Sequence, residues 1–136
     1  MDRLETDEQG RAVVIDLKTG GTAPRADELD RHPQLGVYQL AVPLGAFGHL
    51  GLTEPGGAEL VQVGKAAGVT ARAKVQRQRP LASDPDPGWA QDLIDTVATG
   101  MVGPVFQARV NPGCRTCPWF HAVPYIPTAS RSGCKA

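Results

Sequence analysis

The sequence has no long hydrophobic run and no basic, apolar leader. No stretch approaches the roughly 18 consecutive apolar residues of a membrane-spanning helix. The first residues are acidic and polar, unlike those of a secretory signal. The 16 glycines and 12 prolines are scattered, so low-complexity segments and repeats are missing as well. We therefore predict a cytoplasmic protein that does not associate with membranes.

An excess of charge is also absent. The 14 Lys and Arg residues balance the 14 Asp and Glu residues, so no global field attracts nucleic acid, which argues weakly against DNA binding. One stretch is an exception, because every charged residue between Leu60 and Ser83 is basic. Such a run can contact phosphates, although a solvated basic loop explains it equally well. Its members are Lys65, Arg72, Lys74, Arg77 and Arg79.

Cysteine is scarce, with three residues in the chain. An odd number does not suit a disulfide framework, and Cys114 and Cys117 have the Cys-x-x-Cys spacing. This pattern fits a reducing compartment and metal ligation better than disulfide bonding. A complete thiolate site usually needs four cysteine ligands, and the chain has only three cysteines.

Residues 12–18 form an apolar segment that we interpret as a strand ending in an acid and a base. Alternation predicts that Val13, Ile15 and Leu17 enter the core and that Asp16 and Lys18 share the other face. The Asp16 carboxylate and the Leu17 carbonyl are oxygen ligands of the kind that Mg²⁺ prefers. Lys18 would then position or activate a bound water, although a solvated strand end is the ordinary interpretation of Asp-x-Lys.

One carboxylate rarely holds Mg²⁺, and a second acid precedes the strand. Asp2 lies just before a predicted turn at residues 6–10, so a hairpin folded there brings Asp2 level with Asp16. We predict Asp2 as the second metal ligand.

The remaining segments predict a single α/β domain. After a predicted loop at residues 22–31, apolar spacing indicates a helix over residues 32–42, in which Gln34 and Tyr38 lie four apart on one face. These two could be an ordinary polar stripe. Further strands are predicted over residues 58–64 and, more weakly, 73–76, and a helix over residues 89–101.

Together, Asp2, Asp16, Lys18, Gln34 and Tyr38 resemble the motifs of RecB-type nucleases in the PD-(D/E)XK superfamily. The family pattern runs Gly-x-x-Asp-Arg, then Asp-x-Lys-Thr/Ser, then Gln-x-x-x-Tyr, and the sequence matches it from Asp2 onward. The segments 39–42, 57–61 and 104–108 are similar to the C-terminal nuclease domains of AddB and AdnB type helicase-nucleases.

This resemblance implies a restriction-endonuclease-like mixed sheet flanked by helices, with residues 1–118 as the nuclease domain and 119–136 as a divergent tail. It implies an exonuclease that uses Mg²⁺ or Mn²⁺, processes DNA double-strand break ends for recombinational repair, and works within or beside a helicase-nuclease. In that role Asp2, Asp16 and Leu17 hold the metal, Lys18 orients water, and Gln34 and Tyr38 steady the site or the DNA backbone.

The resemblance also implies an iron-sulfur corner of 4Fe-4S type at Cys114 and Cys117. The family's third cysteine is replaced by Val123, its upstream cysteine is missing, and the spacing of Cys134 does not match. The helix that precedes the first strand in the family is missing too. We therefore expect the chain to be a fragment of a longer reading frame. Because Asp2 adjoins the terminus, we expect the fragment alone to be poorly active. The alternatives are a non-catalytic relic that binds DNA or a partner, and a small metal-binding regulatory domain.

Overall fold

A computed structural model describes residues 1–20, 22–67 and 72–105 of the chain. The chain divides into two units, Met1–Gly100 and Met101–Ala136, and the second is described only as far as residue 105. No helix within the described ranges is long and apolar enough to cross a membrane. The main elements are β1 (Arg3–Thr6), β2 (Ala12–Lys18), α1 (Ala26–Leu29), α2 (Pro33–Ala41), β3 (Pro55–Ala67), β4 (Arg72–Gln78) and α3 (Trp89–Val102), with short helical turns at Val42–Ala46, Gly48–Leu50 and Leu81–Ser83.

The four strands form one mixed sheet in the order β1-β2-β3-β4. Strands β1 and β2 make an antiparallel hairpin, in which Arg3 pairs with Ile15 and Thr6 with Ala12. Strands β2 and β3 are parallel, so the segment containing α1 and α2 crosses over between them. Strand β4 returns antiparallel to β3. The predicted α/β class with a mixed sheet and flanking helices is confirmed.

The core lies on the face of the sheet that α2 covers. Val14 and Leu60 are buried there together with Leu35 of α2. The prediction that Leu17 enters the core is wrong, because its side chain is 45% exposed. The prediction that Asp16 and Lys18 lie on the face away from the core is wrong as well, since they share the face of the buried Val14. Both faces of β2 carry apolar residues, and alternation alone does not say which of them a helix will cover.

Helix α2 begins close to its predicted start, with Pro33 in its first turn and His32 as its N-cap residue. Its internal Gly36, which lowers helix propensity, is explained by packing. A Cβ atom at Gly36 would overlap the indole ring of Trp89, the first residue of α3. Trp89 is 8% exposed, and its indole ring packs directly against the α2 backbone.

Residues 22–31 are not entirely loop, since they contain the single turn α1. The Glu28 carboxylate accepts a hydrogen bond from the backbone N–H of Arg25 at 2.9 Å, which caps the turn. A helix of four residues has too little periodicity to be recognised in the sequence, so the prediction of a continuous loop is wrong at this point.

Candidate active site

The end of β2 presents an acid and a base on the core side of the sheet. Asp16 and Lys18 are two residues apart and therefore share the face of Val14. Asp16 is only 3% exposed, and its Oδ2 lies 2.6 Å from Lys18 Nζ. Apart from this ion pair, Oδ2 is a buried atom without a hydrogen-bond partner. Because an ionised carboxylate has about four lone-pair sites, Asp16 can accept a further cation beside Lys18.

Helix α2 brings Gln34 onto this ion pair. Gln34 Oε1 accepts a hydrogen bond from Lys18 Nζ at 2.8 Å, and its Nε2 donates to Asp16 Oδ1 at 3.3 Å. A lysine ammonium can only donate and an ionised carboxylate can only accept. The two charged neighbours therefore fix the orientation of the amide, with its oxygen toward Lys18 and its nitrogen toward Asp16.

Tyr38 lies one helical turn beyond Gln34 and joins the same network. Its hydroxyl accepts hydrogen bonds from Gln34 Nε2 and from the Met1 amino group, both at 2.8 Å. These bonds, the one from Met1 first, hold the pKa of Tyr38 below its usual range. Because both neighbours act as donors, the O–H proton of Tyr38 is available to donate to a further group.

Asp2 is aligned with Asp16 by the hairpin. The pairing of Arg3 with Ile15, continued by one residue, sets Asp2 opposite Asp16. Asp2 Oδ2 accepts a hydrogen bond from the backbone N–H of Leu17 at 2.8 Å, and Asp2 N donates to the Ile15 carbonyl at 3.1 Å. The structure thus brings together all five of the predicted catalytic side chains, Asp2, Asp16, Lys18, Gln34 and Tyr38.

The donor set suits a hard divalent ion. No group of three or more His, Cys, Asp or Glu side chains able to hold a metal occurs within residues 1–20, 22–67 and 72–105. Mg²⁺, however, is commonly held by one or two carboxylates while it keeps several waters. Asp2, one residue before β1, and Asp16 on β2 provide two carboxylates, and a metal ion at the buried Oδ2 of Asp16 would share that oxygen with the Lys18 ammonium. These residues fit Mg²⁺ with few protein ligands.

The chain that leaves β2 crosses the same face of the sheet. A Cβ atom at Gly64 of β3 would overlap the backbone carbonyl of Thr19, so the two backbones are in direct contact. Further along, Gln76 Nε2 donates to the Pro24 carbonyl at 2.9 Å. Gly64 is not among the residues predicted from the sequence, although an isolated glycine within a strand often indicates a close approach of another backbone.

The predicted basic run does not form a single patch. Strand register sets Lys18 beside Gln62 and Gln62 beside Lys74, so exposed Lys74 lies two strands from Lys18 on the same face. Arg77 points to the opposite face, where its Nε donates to Glu59 Oε1 at 2.7 Å. Arg79 follows the far end of β4, and the side chains of Lys65 and Arg72 lie outside the described residues.

The cysteine-rich segment with Cys114 and Cys117 also lies outside the described residues.

Comparison with known proteins gives one family. The family model for the PD-(D/E)XK nuclease superfamily matches residues 1–122. No curated protein matches the chain. The mixed four-stranded sheet with helices is consistent with the restriction-endonuclease-like α/β fold of this superfamily. The chain therefore belongs to the PD-(D/E)XK nuclease superfamily.

Proposed function

We propose that this chain is a DNA nuclease of RecB type that depends on Mg²⁺ or Mn²⁺. Superfamily members are typically metal-dependent nucleases that use these ions. The observation that carries the proposal is the position of Gln34, whose single amide contacts both Lys18 and Asp16 and also Tyr38. An amide held between an acid and a base at a strand end fits a site that binds a metal beside a phosphodiester.

Each residue has a distinct role in this proposal. Asp16 and Asp2 hold the ion, and the Leu17 carbonyl is the third protein oxygen. When bound, the ion supplies positive charge that activates a coordinated water and neutralises the phosphate. Lys18 orients the attacking water, and Gln34 keeps the Lys18 ammonium in place.

Tyr38 faces the DNA backbone in this arrangement. Because its oxygen accepts from Gln34, its own proton is available to a phosphate oxygen. A hydrogen bond to a charged group of this kind contributes about 1.5–3 kcal/mol.

The finer assignment follows the RecB-type motifs. We propose an exonuclease that processes double-strand break ends during recombinational repair, in association with a helicase-nuclease. Cys114 and Cys117 would be two of the four thiolates of a 4Fe-4S site. The other two cysteines would have to come from positions that do not match the family pattern. The proposed domain extends over residues 1–118.

The test is cleavage of end-labelled linear DNA with protein in excess over DNA, so that a slow single turnover is still measured. We expect cleavage with Mg²⁺ or Mn²⁺ and none with EDTA, because hard ions suit oxygen ligands. Covalently closed circular DNA is the matched substrate, and an exonuclease will leave it intact. Binding of linear DNA without cleavage in any divalent ion would contradict the proposal and favour a non-catalytic binding module.

The position of Lys74 gives a separate prediction about DNA binding. Replacing Lys74 by alanine should reduce the slope of log K against log[salt] by about one, because one phosphate contact is lost. Arg77→Ala is the matched control, since Arg77 pairs with Glu59 on the opposite face and its loss should leave the slope unchanged. The measurement is a salt titration of DNA affinity. Equal slopes for the parent protein and Lys74→Ala would remove Lys74 from the DNA-binding surface.

A further inference from the structure

Gln39 of α2 directs all of its side-chain hydrogen bonds toward β4 and the chain after it. The residue is fully buried, at 0% exposure, although it follows Tyr38 directly. Its Oε1 accepts from the backbone N–H of Leu81 at 3.1 Å. Its Nε2 donates to Gln78 Oε1 at 2.9 Å and to the Arg79 carbonyl at 3.1 Å. The helix is thereby attached to the strand farthest from the hairpin.

Gln78 extends this attachment to the corner between α1 and α2. It is 3% exposed, and its Nε2 lies 3.0 Å, 3.3 Å and 3.2 Å from the carbonyl oxygens of Leu29, Asp30 and His32. His32 is the N-cap residue of α2. Buried hydrogen bonds of this kind are costly to break, because the freed groups cannot turn to water.

The two glutamines control how α2 is rotated above the sheet. Side-chain tips lie about 5–6 Å from a helix axis, so a rotation of about 10° moves a tip by about 1 Å. The bond from Gln34 Nε2 to Asp16 Oδ1 is already 3.3 Å long, and such a rotation would break it. Gln34 is only half-buried, whereas Gln39 is fully buried and makes three hydrogen bonds, each shorter than the bond from Gln34 to Asp16.

We propose that Gln39 and Gln78 are positioning residues of the active site, which fix the rotation of α2 so that Gln34 contacts Asp16 and Lys18 together. The proposal rests on the proposed function for its catalytic consequence, but the position of Gln34 can be measured without any reaction. The glutamines themselves touch neither the acid nor the base. They act through Gln34.

The first test follows the side-chain amide of Gln34 by NMR, with its signal assigned from its loss in Gln34→Ala. In Gln39→Met, which keeps an unbranched side chain, the Gln34 amide protons should exchange with solvent at least about tenfold faster as their bonds to Asp16 and Tyr38 are lost. Val42→Ala is the matched control, since it opens a cavity at a fully buried apolar residue close to Gln39 without removing a side-chain hydrogen bond of either glutamine. An unchanged exchange rate of the Gln34 amide protons in Gln39→Met would overturn the proposal.

The second test is a double-mutant cycle on the cleavage rate with saturating DNA. A misplacement of about 1 Å can cost roughly a hundredfold, so Gln39→Met should lower the rate by about one to two orders of magnitude. In a Gln34→Ala background it should cause no further loss, because Gln34 is the residue through which it acts. A purely structural role predicts the same factor in both backgrounds, and that outcome would overturn the proposal.

A second variant covers the case in which Gln39→Met does not fold. Gln39→Asn keeps the amide but shortens the side chain by one methylene. It should also raise the rate at which the Gln34 amide protons exchange with solvent. If the parent protein shows no cleavage that depends on Mg²⁺, the proposed function fails. The exchange rate of the Gln34 amide protons still tests whether Gln39 positions Gln34.

Discussion

Asp16→Asn and Lys18→Ala should each abolish DNA cleavage that depends on Mg²⁺, with losses on the order of a thousandfold or more. In the proposed mechanism, Asp16→Asn removes the buried negative charge that would bind the ion, and Lys18→Ala removes the ammonium that would orient the water. Groups that act as a unit are strongly non-additive, so the double variant should be no worse than either single one. The measurement is the single-turnover rate on linear DNA.

The control for these variants is Asp92→Asn, a similar change at an exposed acid in the first turn of α3. It should leave the rate within about a factor of two of the parent, because surface substitutions of this kind have small effects. Circular dichroism of all variants should remain that of the parent. Cleavage near the parental rate in Asp16→Asn or Lys18→Ala would show that the site lies elsewhere.

Among glycine-to-alanine substitutions near the site, Gly64→Ala should reduce the stability of the domain most. The new Cβ atom would overlap the backbone carbonyl of Thr19, and a backbone segment cannot rotate away as a flexible side chain can. Overpacking typically costs about 1–3 kcal/mol, and more where backbone must move. Because Thr19 follows Lys18 directly, its displacement should also lower the cleavage rate.

Urea denaturation measures the loss of stability, and Gly100→Ala is the matched control. Gly100 lies in α3, and an added Cβ there meets no atom within 4 Å. Removing a glycine from a helix should stabilise it by roughly 0.5–1 kcal/mol. If Gly64→Ala keeps the parental unfolding midpoint, the backbones of β3 and of the segment after β2 are not in contact.

Local periodicity predicts which residues share a face, and little more. It places Asp16 with Lys18 and Gln34 with Tyr38, because both pairs depend on the repeat of a single element. That Gln34 contacts Asp16 depends on the packing of α2 on β2, which the sequence indicated only through its resemblance to a family. The covered face of β2 was assigned wrongly at Leu17 for the same reason.

Long-range polar contacts were beyond sequence reasoning. Gln39 and Gln78 are 39 positions apart, and no local pattern distinguishes a glutamine that is buried and paired from one on the surface. The basic run is easy to recognise in the sequence, but the faces on which its residues lie are not. Its uniform charge is visible in the sequence, whereas the pairing of Arg77 with Glu59 depends on strand register.

The ion pair between Lys18 and Asp16 means that this acid carries its own counterion. A buried carboxylate without a compensating charge strongly opposes folding, and many small metal-binding domains unfold when the metal is removed. Here the ammonium of Lys18, two residues further along the same strand, provides that compensation. The domain should therefore fold before it binds a metal, and a divalent ion that binds only the folded site should raise the unfolding midpoint as its concentration increases.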